Sequence, residues 1–204
     1  MTPFWTVTKP SKLFKKLKQF EYILVTGPQR AGTTITAVMI ANDLGYEFLE
    51  EGTVWGRLGQ WPPNPPAVRD LRNYFNTFPP CVIHCPEHSA YCHLYAGLDN
   101  VAVVMVRRDV NDIIASQERV GWGFEWLEMK HYPGEERPIS EVKYRHWDEY
   151  QKKMLGIQAF EVDYESLKCH PMWVDKEHRQ DFAIAQVEVG KPRGDRVQNP
   201  KLKK

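Results

Sequence analysis

The chain has 204 residues, which is enough for one domain with a substantial core and marginal for two. Its 27 basic and 26 acidic side chains nearly balance, so net charge gives no reason to expect binding to nucleic acid or to a membrane surface. No apolar run is long enough to span a membrane, no secretory signal is visible, and the four cysteines fit reduced thiols. These features predict a cytoplasmic protein without a membrane span.

The predicted organisation is a basic arm, one folded domain and a basic tail. Residues 1–20 form the arm, in which five lysines between positions 9 and 18 surround two leucines and a phenylalanine. This arm is either solvated or a short amphipathic helix. Residues 21–189 form the domain. Residues 190–204 are polar and poor in apolar side chains, so they form a tail that is mobile or becomes ordered on binding.

Strands and helices alternate along the predicted domain. Apolar runs mark the strands, and apolar residues at helical spacing mark the helices. In the strongest strand, residues 100–108, the nearly unbroken apolar character is typical of a strand buried on both faces of a parallel sheet. The alternation predicts an α/β fold in three layers, with a parallel sheet between helices. The predicted strands are 22–27, 46–51, 81–85, 100–108 and 157–164, and the predicted helices are 33–45, 67–78, 88–98, 110–120 and 139–155.

The first candidate site is the glycine loop "GPQRAGTT", which follows the first predicted strand. Gly27 and Gly32 have the spacing of a P-loop, but Thr33 stands where such a loop carries its lysine, and Arg30 lies inside the turn. The backbone N–H groups and positive dipole end of the following helix would attract an anion, with arginine and threonine as further donors. The alternative is a glycine turn that only joins strand to helix.

The second candidate site is the end of the strongest strand. Arg108 ends this strand and Ser116 lies on the following helix, which Asp109 is expected to cap. Ligands of open α/β sheets bind at the carboxyl ends of the strands, where an arginine could grip a second phosphate. Taken alone, such an arginine could equally be an ordinary ion-pair partner.

Together, the two segments resemble the sulfotransferase family. That family carries an R-[SA]-G-T-T loop and an R-D-P-x-x-x-x-x-S segment, and this chain departs from the second at Val110, where proline is usual. "VDYESL" at 162–167 is similar to a later R-Y-E-x-L stretch, with Asp163 in the place of arginine. The resemblance implies a P-loop-like fold that binds 3′-phosphoadenosine 5′-phosphosulfate, releases 3′-phosphoadenosine 5′-phosphate and uses no metal. The nucleotide-binding residues it implies are Gly27, Arg30, Ala31, Gly32, Thr33, Thr34, Arg108, Ser116 and Tyr164.

The pattern is most similar to the branch that contains the tyrosylprotein sulfotransferases. By that resemblance, Glu51 is the base that takes the acceptor's proton, and Arg30 stabilises the sulfuryl group. His84 stands where the branch has a lysine that neutralises the departing phosphate, a role that a protonated histidine can fill. The acceptor is a hydroxyl or amine of a small molecule, glycan or peptide, which the sequence does not specify. Assembly as a homo-oligomer stays open, and no nucleic-acid partner is expected.

Several alternatives remain at this point. A degenerate P-loop nucleotide kinase would need Mg²⁺ and ATP, and a descendant without catalytic activity would keep only the nucleotide pocket or the fold. The glycine- and aromatic-rich residues 121–128 are either a lid or part of the core, and "GKPRG" at 190–194 is either a phosphate contact or part of the tail. The cysteines and histidines between 81 and 93 have ligand types that suit zinc, but their spacing matches no standard site.

Overall fold

The computed structural model describes residues 10–50, 73, 75–76, 78–122, 129 and 132–174. Its strands are β1 (Tyr22–Thr26), β2 (Glu47–Glu50), β3 (Cys81–His84), β4 (Val101–Arg107) and β5 (Ala159–Asp163). They form one sheet in the order β2-β3-β1-β4-β5, and every neighbouring pair is parallel. The prediction of an α/β fold with a parallel sheet is therefore confirmed.

Helices flank this sheet. The predicted helices 33–45 and 110–120 are present, whereas most of the predicted helix 67–78 lies outside the described residues. Among the described residues, no helix is long and apolar enough to cross a membrane. The α-helices are α1 (Pro10–Leu17), α2 (Thr33–Leu44), α3 (Val110–Arg119), α4 (Ile139–His146) and α5 (Lys152–Leu155). The 3₁₀ helices are Pro86–Tyr95, Gly156–Gln158 and Tyr164–Cys169, and Trp147–Gln151 is a π-helical turn.

The two central strands form the middle of the core. All of β1 is buried, and β4 is buried from Val101 to Val106. The edge strand β5, in contrast, buries only Val162 fully. Strands inside a parallel sheet are covered on both faces, which explains why their sequences are continuous apolar runs rather than alternating ones.

The arm predicted for residues 1–20 is structured from residue 10 onward. In α1, the side chains of Leu13, Phe14 and Leu17 are buried, and the lysines face outward. Burying a leucine or phenylalanine side chain contributes about 1.5–3 kcal/mol, so these residues have a physical reason to leave solvent. Residues 10–17 therefore form the amphipathic helix, and the alternative of a solvated arm is wrong for these residues.

The long helix predicted over 139–155 is interrupted. Helix α4 continues through the π-helical turn into α5, and the wider turn keeps both Trp147 and Gln151 fully buried. In this position, the Nε2 atom of Gln151 lies 2.8 Å from Nδ1 of His146. π-helical turns are rare and occur mostly as single insertions within α-helices.

The helix predicted over 88–98 is a 3₁₀ helix that begins and ends earlier, at Pro86–Tyr95. Its burial pattern includes a row at intervals of three residues, namely Pro86, Ser89, Cys92 and Tyr95, beside the buried His88 and Ala90. Three residues per turn is the repeat of a 3₁₀ helix, which brings these four side chains to one face.

Candidate functional site

The two candidate sites, the glycine loop and the segment that begins at Arg108, meet at the carboxyl edge of the sheet. The connection that leaves β1 runs through α2 toward β2, whereas the connection that leaves β4 runs toward β5 at the opposite edge. Neighbouring strands whose connections diverge in this way leave a crevice beyond their carboxyl ends, which is where α/β sheets bind ligands. The glycine loop and Arg108 are the residues that follow β1 and β4.

The glycine loop presents the N-terminus of α2 without a side-chain cap. Gly32 is the residue before this helix, with a φ angle of 95°, and among the described residues no side chain caps the first helical N–H groups. The start of α3 differs, because Asp109 accepts hydrogen bonds from the backbone N–H groups of Asn111 and Asp112, as the sequence predicted. The first N–H groups of α2 can therefore donate hydrogen bonds to another acceptor, whereas Asp109 already accepts hydrogen bonds from those of α3.

Arg30 connects the loop to the second segment. Its Nε atom donates a hydrogen bond to Oγ of Ser116 at 3.3 Å, and its carbonyl oxygen accepts one from Nη1 of Arg108 at 2.9 Å. The backbone of Arg30 is left-handed, with a φ angle of 73°, a conformation that costs a residue with a Cβ atom roughly 1–2 kcal/mol. Arg30 from the first motif and Arg108 and Ser116 from the second thus form one hydrogen-bonded group.

Two guanidinium groups at this edge, those of Arg30 and Arg108, have no acidic partner in the described part of the chain. Neither Arg30 nor Arg108 forms an ion pair with a carboxylate there, and Nε of Arg108 is buried without a hydrogen-bond partner among those residues. The pKa of Arg30 is lowered, first by loss of solvation and then by the positive charges of Arg119 and Arg108. An anion placed here would relieve this repulsion and accept the remaining N–H donors.

The ring of Tyr164 contacts both the glycine loop and Arg108. The guanidinium carbon of Arg108 lies 4.6 Å from the centre of the Tyr164 ring, within the range of a cation–π contact. The same ring packs so closely on Gly32 that a Cβ atom at this position would not fit. Tyr164 follows β5, so a third strand end contributes to the site.

His84 reaches the loop from β3. Its Nε2 atom lies 2.9 Å from Oγ1 of Thr33 and 3.2 Å from Oγ1 of Thr34. Because β3 is the parallel neighbour of β1, its last residue ends beside the turn that follows β1. The side chain of His84 is therefore placed against the first residues of α2.

The structure thus brings together every predicted site residue that lies within its described part. These are Gly27, Arg30, Ala31, Gly32, Thr33, Thr34, His84, Arg108, Ser116 and Tyr164. Glu51, the predicted base, lies outside the described residues, as do residues 123–128 of the possible lid and the segment 190–194. Glu50, the residue before Glu51, is the register partner of His84 in the sheet.

Sequence reasoning missed four polar residues at this edge, namely Gln29, Arg119, Lys143 and Tyr144. Lys143 is 1% exposed and donates hydrogen bonds from Nζ to Oε1 of Gln29 at 2.7 Å and to the Pro86 carbonyl at 3.2 Å. The sequence did contain a signal, because Lys143 lies four residues after the buried Ile139 and next to the buried Val142. A lysine on the apolar face of a helix needs polar partners in the interior.

The zinc alternative finds no support in the geometry of the described residues. Cys81, Cys85 and Cys92 are buried and form no disulfide, and burial raises the pKa of the Cys92 thiol well above its ordinary value. His88 uses Nδ1 to bond the Tyr95 hydroxyl at 2.7 Å. In the described part of the chain, no three His, Cys, Asp or Glu side chains lie close enough together to hold a metal ion.

Comparisons with known proteins gave no relative. No family model matches the chain, and neither a curated protein nor a solved structure matches it.

Proposed function

We propose that the chain is a sulfotransferase that binds 3′-phosphoadenosine 5′-phosphosulfate at the carboxyl edge of the sheet and transfers its sulfuryl group to a hydroxyl or amine. The observation that carries the proposal is the pairing of Arg30 with Arg108. The guanidinium group of Arg108 bonds the backbone carbonyl of Arg30, and after loss of solvation and the charge of Arg119, its charge lowers the pKa of the Arg30 side chain. Both residues lie beside an uncapped helix N-terminus, and neither forms an ion pair with a carboxylate of the described residues. Such a donor set favours a ligand with two separate anionic groups.

The residues present fit this nucleotide. The loop from Gly27 to Thr34 would hold the 5′-phosphosulfate through its backbone N–H groups and Arg30, while Arg108 and Ser116 would hold the 3′-phosphate. The buried Nε of Arg108, without a partner among the described residues, provides a donor for that phosphate. Strand β1 lies at the centre of the sheet and the glycine loop follows it, which is compatible with a P-loop-like fold.

The bound nucleotide supplies an activated sulfuryl group. The acceptor oxygen or nitrogen forms a bond to sulfur while the bond from sulfur to the 5′-phosphate oxygen breaks, and that phosphate leaves with the electron pair. Glu51 takes the proton from the acceptor. His84, when protonated, stabilises the negative charge on the leaving phosphate from its position beside Thr33 and Thr34.

Calorimetry with 3′-phosphoadenosine 5′-phosphate tests the nucleotide site directly. The wild-type protein should bind it without metal, and Arg108→Ala should weaken binding about 10- to 100-fold, since a hydrogen bond to a charged group contributes about 1.5–3 kcal/mol. The control is Lys152→Ala, because Lys152 is a basic residue that pairs with Glu161 instead. Preference for ATP with Mg²⁺ would indicate the kinase alternative, and absence of binding to either nucleotide would contradict the proposal.

A second measurement separates binding from chemistry. Glu51→Gln should lower the rate of sulfuryl transfer by roughly 10²- to 10⁴-fold, which is the usual contribution of a general base, and should leave affinity for 3′-phosphoadenosine 5′-phosphate unchanged. Glu50→Gln is the control, since it removes the neighbouring carboxylate. Nucleotide binding without transfer to any acceptor in a screen would support the descendant without catalytic activity.

A further inference from the structure

Two adjacent residues of α4 each hold one of the two anion-binding segments. Lys143 is fully buried behind the glycine loop, where its Nζ atom bonds Oε1 of Gln29 at 2.7 Å. Gln29 is the residue before Arg30, and its carbonyl oxygen accepts a further hydrogen bond from Nε2 of Gln117 at 3.4 Å. Lys143 therefore anchors the loop at the position where its backbone turns left-handed.

The same ammonium group also bonds the segment that follows β3. Its second acceptor is the carbonyl oxygen of Pro86, at 3.2 Å. Pro86 begins the 3₁₀ helix that follows His84 and Cys85. One buried lysine thus connects the end of β1 to the end of β3, which are the two strand ends that bring the threonines and His84 together.

Tyr144 holds the other segment. Its hydroxyl group donates a hydrogen bond to the carbonyl oxygen of Val106 at 3.0 Å and accepts one from the backbone N–H of Arg108, also at 3.0 Å. Burial raises the pKa of Tyr144 to about 12, so the hydroxyl keeps its proton at neutral pH and can make both bonds. The backbone of Arg108 is therefore fixed from the neighbouring position of the same helix.

We propose that Lys143 and Tyr144 are positioning residues that set the distance between the glycine loop and Arg108, and so make the site selective for a nucleotide with two phosphates over one with a single phosphate. This inference rests on the proposed function. The physical reason is that consecutive residues of one helical turn have a fixed separation. Two loops bonded to them cannot move apart independently, which matters for a ligand that must reach both.

The test compares a nucleotide that has both phosphates with one that lacks the 3′-phosphate. Dissociation constants for 3′-phosphoadenosine 5′-phosphate and for adenosine 5′-monophosphate are measured by calorimetry on Lys143→Met, Tyr144→Phe and the wild-type protein. We expect affinity for the bisphosphate to fall at least tenfold, and affinity for the monophosphate to fall less than threefold. Equal losses for the two nucleotides would overturn the proposal, since general destabilisation of the site affects both.

Lys152→Met is the matched control. Lys152 follows the π-helical turn on the same helical segment, and its Nζ atom pairs with Glu161 at 3.0 Å rather than with the loop. It should leave the ratio of the two affinities unchanged, and a change as large as that in Lys143→Met would also overturn the proposal. Gln29→Met removes the lysine's contact from the loop side and replaces Lys143→Met if that variant does not fold.

Hydrogen exchange on the ligand-free protein separates this inference from the proposed function. Backbone amides of residues 29–32 should exchange faster in Lys143→Met, and those of residues 106–108 faster in Tyr144→Phe, while Lys152→Met leaves both unchanged. If the wild-type protein binds neither nucleotide, the proposed function fails and the selectivity inference fails with it. Faster exchange in Lys143→Met and Tyr144→Phe would still establish that these residues anchor the two segments. Unchanged exchange in both variants would reject the anchoring itself.

Discussion

The ring of Tyr164 occupies the space that a side chain on residue 32 would need. An ideal Cβ atom at Gly32 would lie 2.3 Å from Cδ2 of Tyr164 and 2.4 Å from Cε2, which is far inside van der Waals contact. The two residues come from the first loop and from the segment after the last strand. Glycine is therefore required here by the approach of the ring as well as by the positive φ angle of 95°.

Gly32→Ala should lower the free energy of unfolding more than an alanine placed at another positive-φ glycine. Gly121 is the control, because its φ angle is 64° and a Cβ atom there meets nothing within 4 Å. The control should lose about 1–2 kcal/mol from backbone strain alone, and Gly32→Ala a further 1–3 kcal/mol or so from overpacking. Urea unfolding measures both, and equal losses would contradict the steric role of Tyr164.

Arg30→Gly should be more stable than Arg30→Ala. Both variants remove the guanidinium group and its hydrogen bond to Ser116, but only glycine adopts the φ angle of 73° without strain. The expected difference in unfolding free energy is about 1 kcal/mol, while both variants lose affinity for 3′-phosphoadenosine 5′-phosphate. If alanine proves as stable as glycine in urea unfolding, the left-handed backbone at this position is not a feature of the ligand-free protein.

Stability should decrease as the pH falls below about 6.5, the ordinary pKa of histidine. The pKa of His93 is lowered by loss of solvation, and that of His146 by loss of solvation and by the charges of His93 and Arg145. The unfolded chain then binds protons more readily than the folded chain, so acidification favours unfolding. Unfolding free energies measured between pH 7.5 and 5.5 should fall less steeply in His93→Gln, and parallel profiles for variant and wild type would contradict this assignment.

One thiol should react in the folded protein and three only on unfolding. Cys169 is exposed, whereas Cys81, Cys85 and Cys92 are buried. Thiol titration with an aromatic disulfide should therefore give one rapid equivalent in buffer and four in urea, and Cys169→Ser should abolish the rapid reaction. Rapid modification of more than one thiol in the folded wild-type protein would show that the region around β3 opens readily.

Much of the fold follows from local sequence, because β1 and β4 are apolar runs and the residues after them have unmistakable turn and cap chemistry. The glycine loop, the cap at Asp109 and the position of Arg108 at a strand end were all predictable for this reason. The meeting of Arg30 with Ser116 also followed, since the carboxyl ends of parallel strands lie at one edge of a sheet.

The parts that were not predictable depend on contacts between distant segments. Nothing local to Lys143 or Tyr144 indicates that their partners are Gln29 and Arg108, and a lysine is on average the least buried of residues. Burial of α1 was likewise open, because five lysines favour solvent while three apolar side chains favour the core. Which tendency prevails is decided by the surface that α2, β5 and the 3₁₀ helix after β5 provide.

The packing of α1 also affects when this helix can make its native contacts during synthesis of the chain. Its Phe14 ring lies 5.7 Å from the ring of His170, so the first described helix rests against the last described segment. A ribosome releases α1 long before residue 170 exists, and β1, the central strand, likewise waits for β3 and β4. Phe14 must therefore wait for its partner around residue 170 until all the described strands have been translated, although α2, which also packs against α1, is made earlier. Part of the apolar face of α1 thus stays exposed during most of this synthesis.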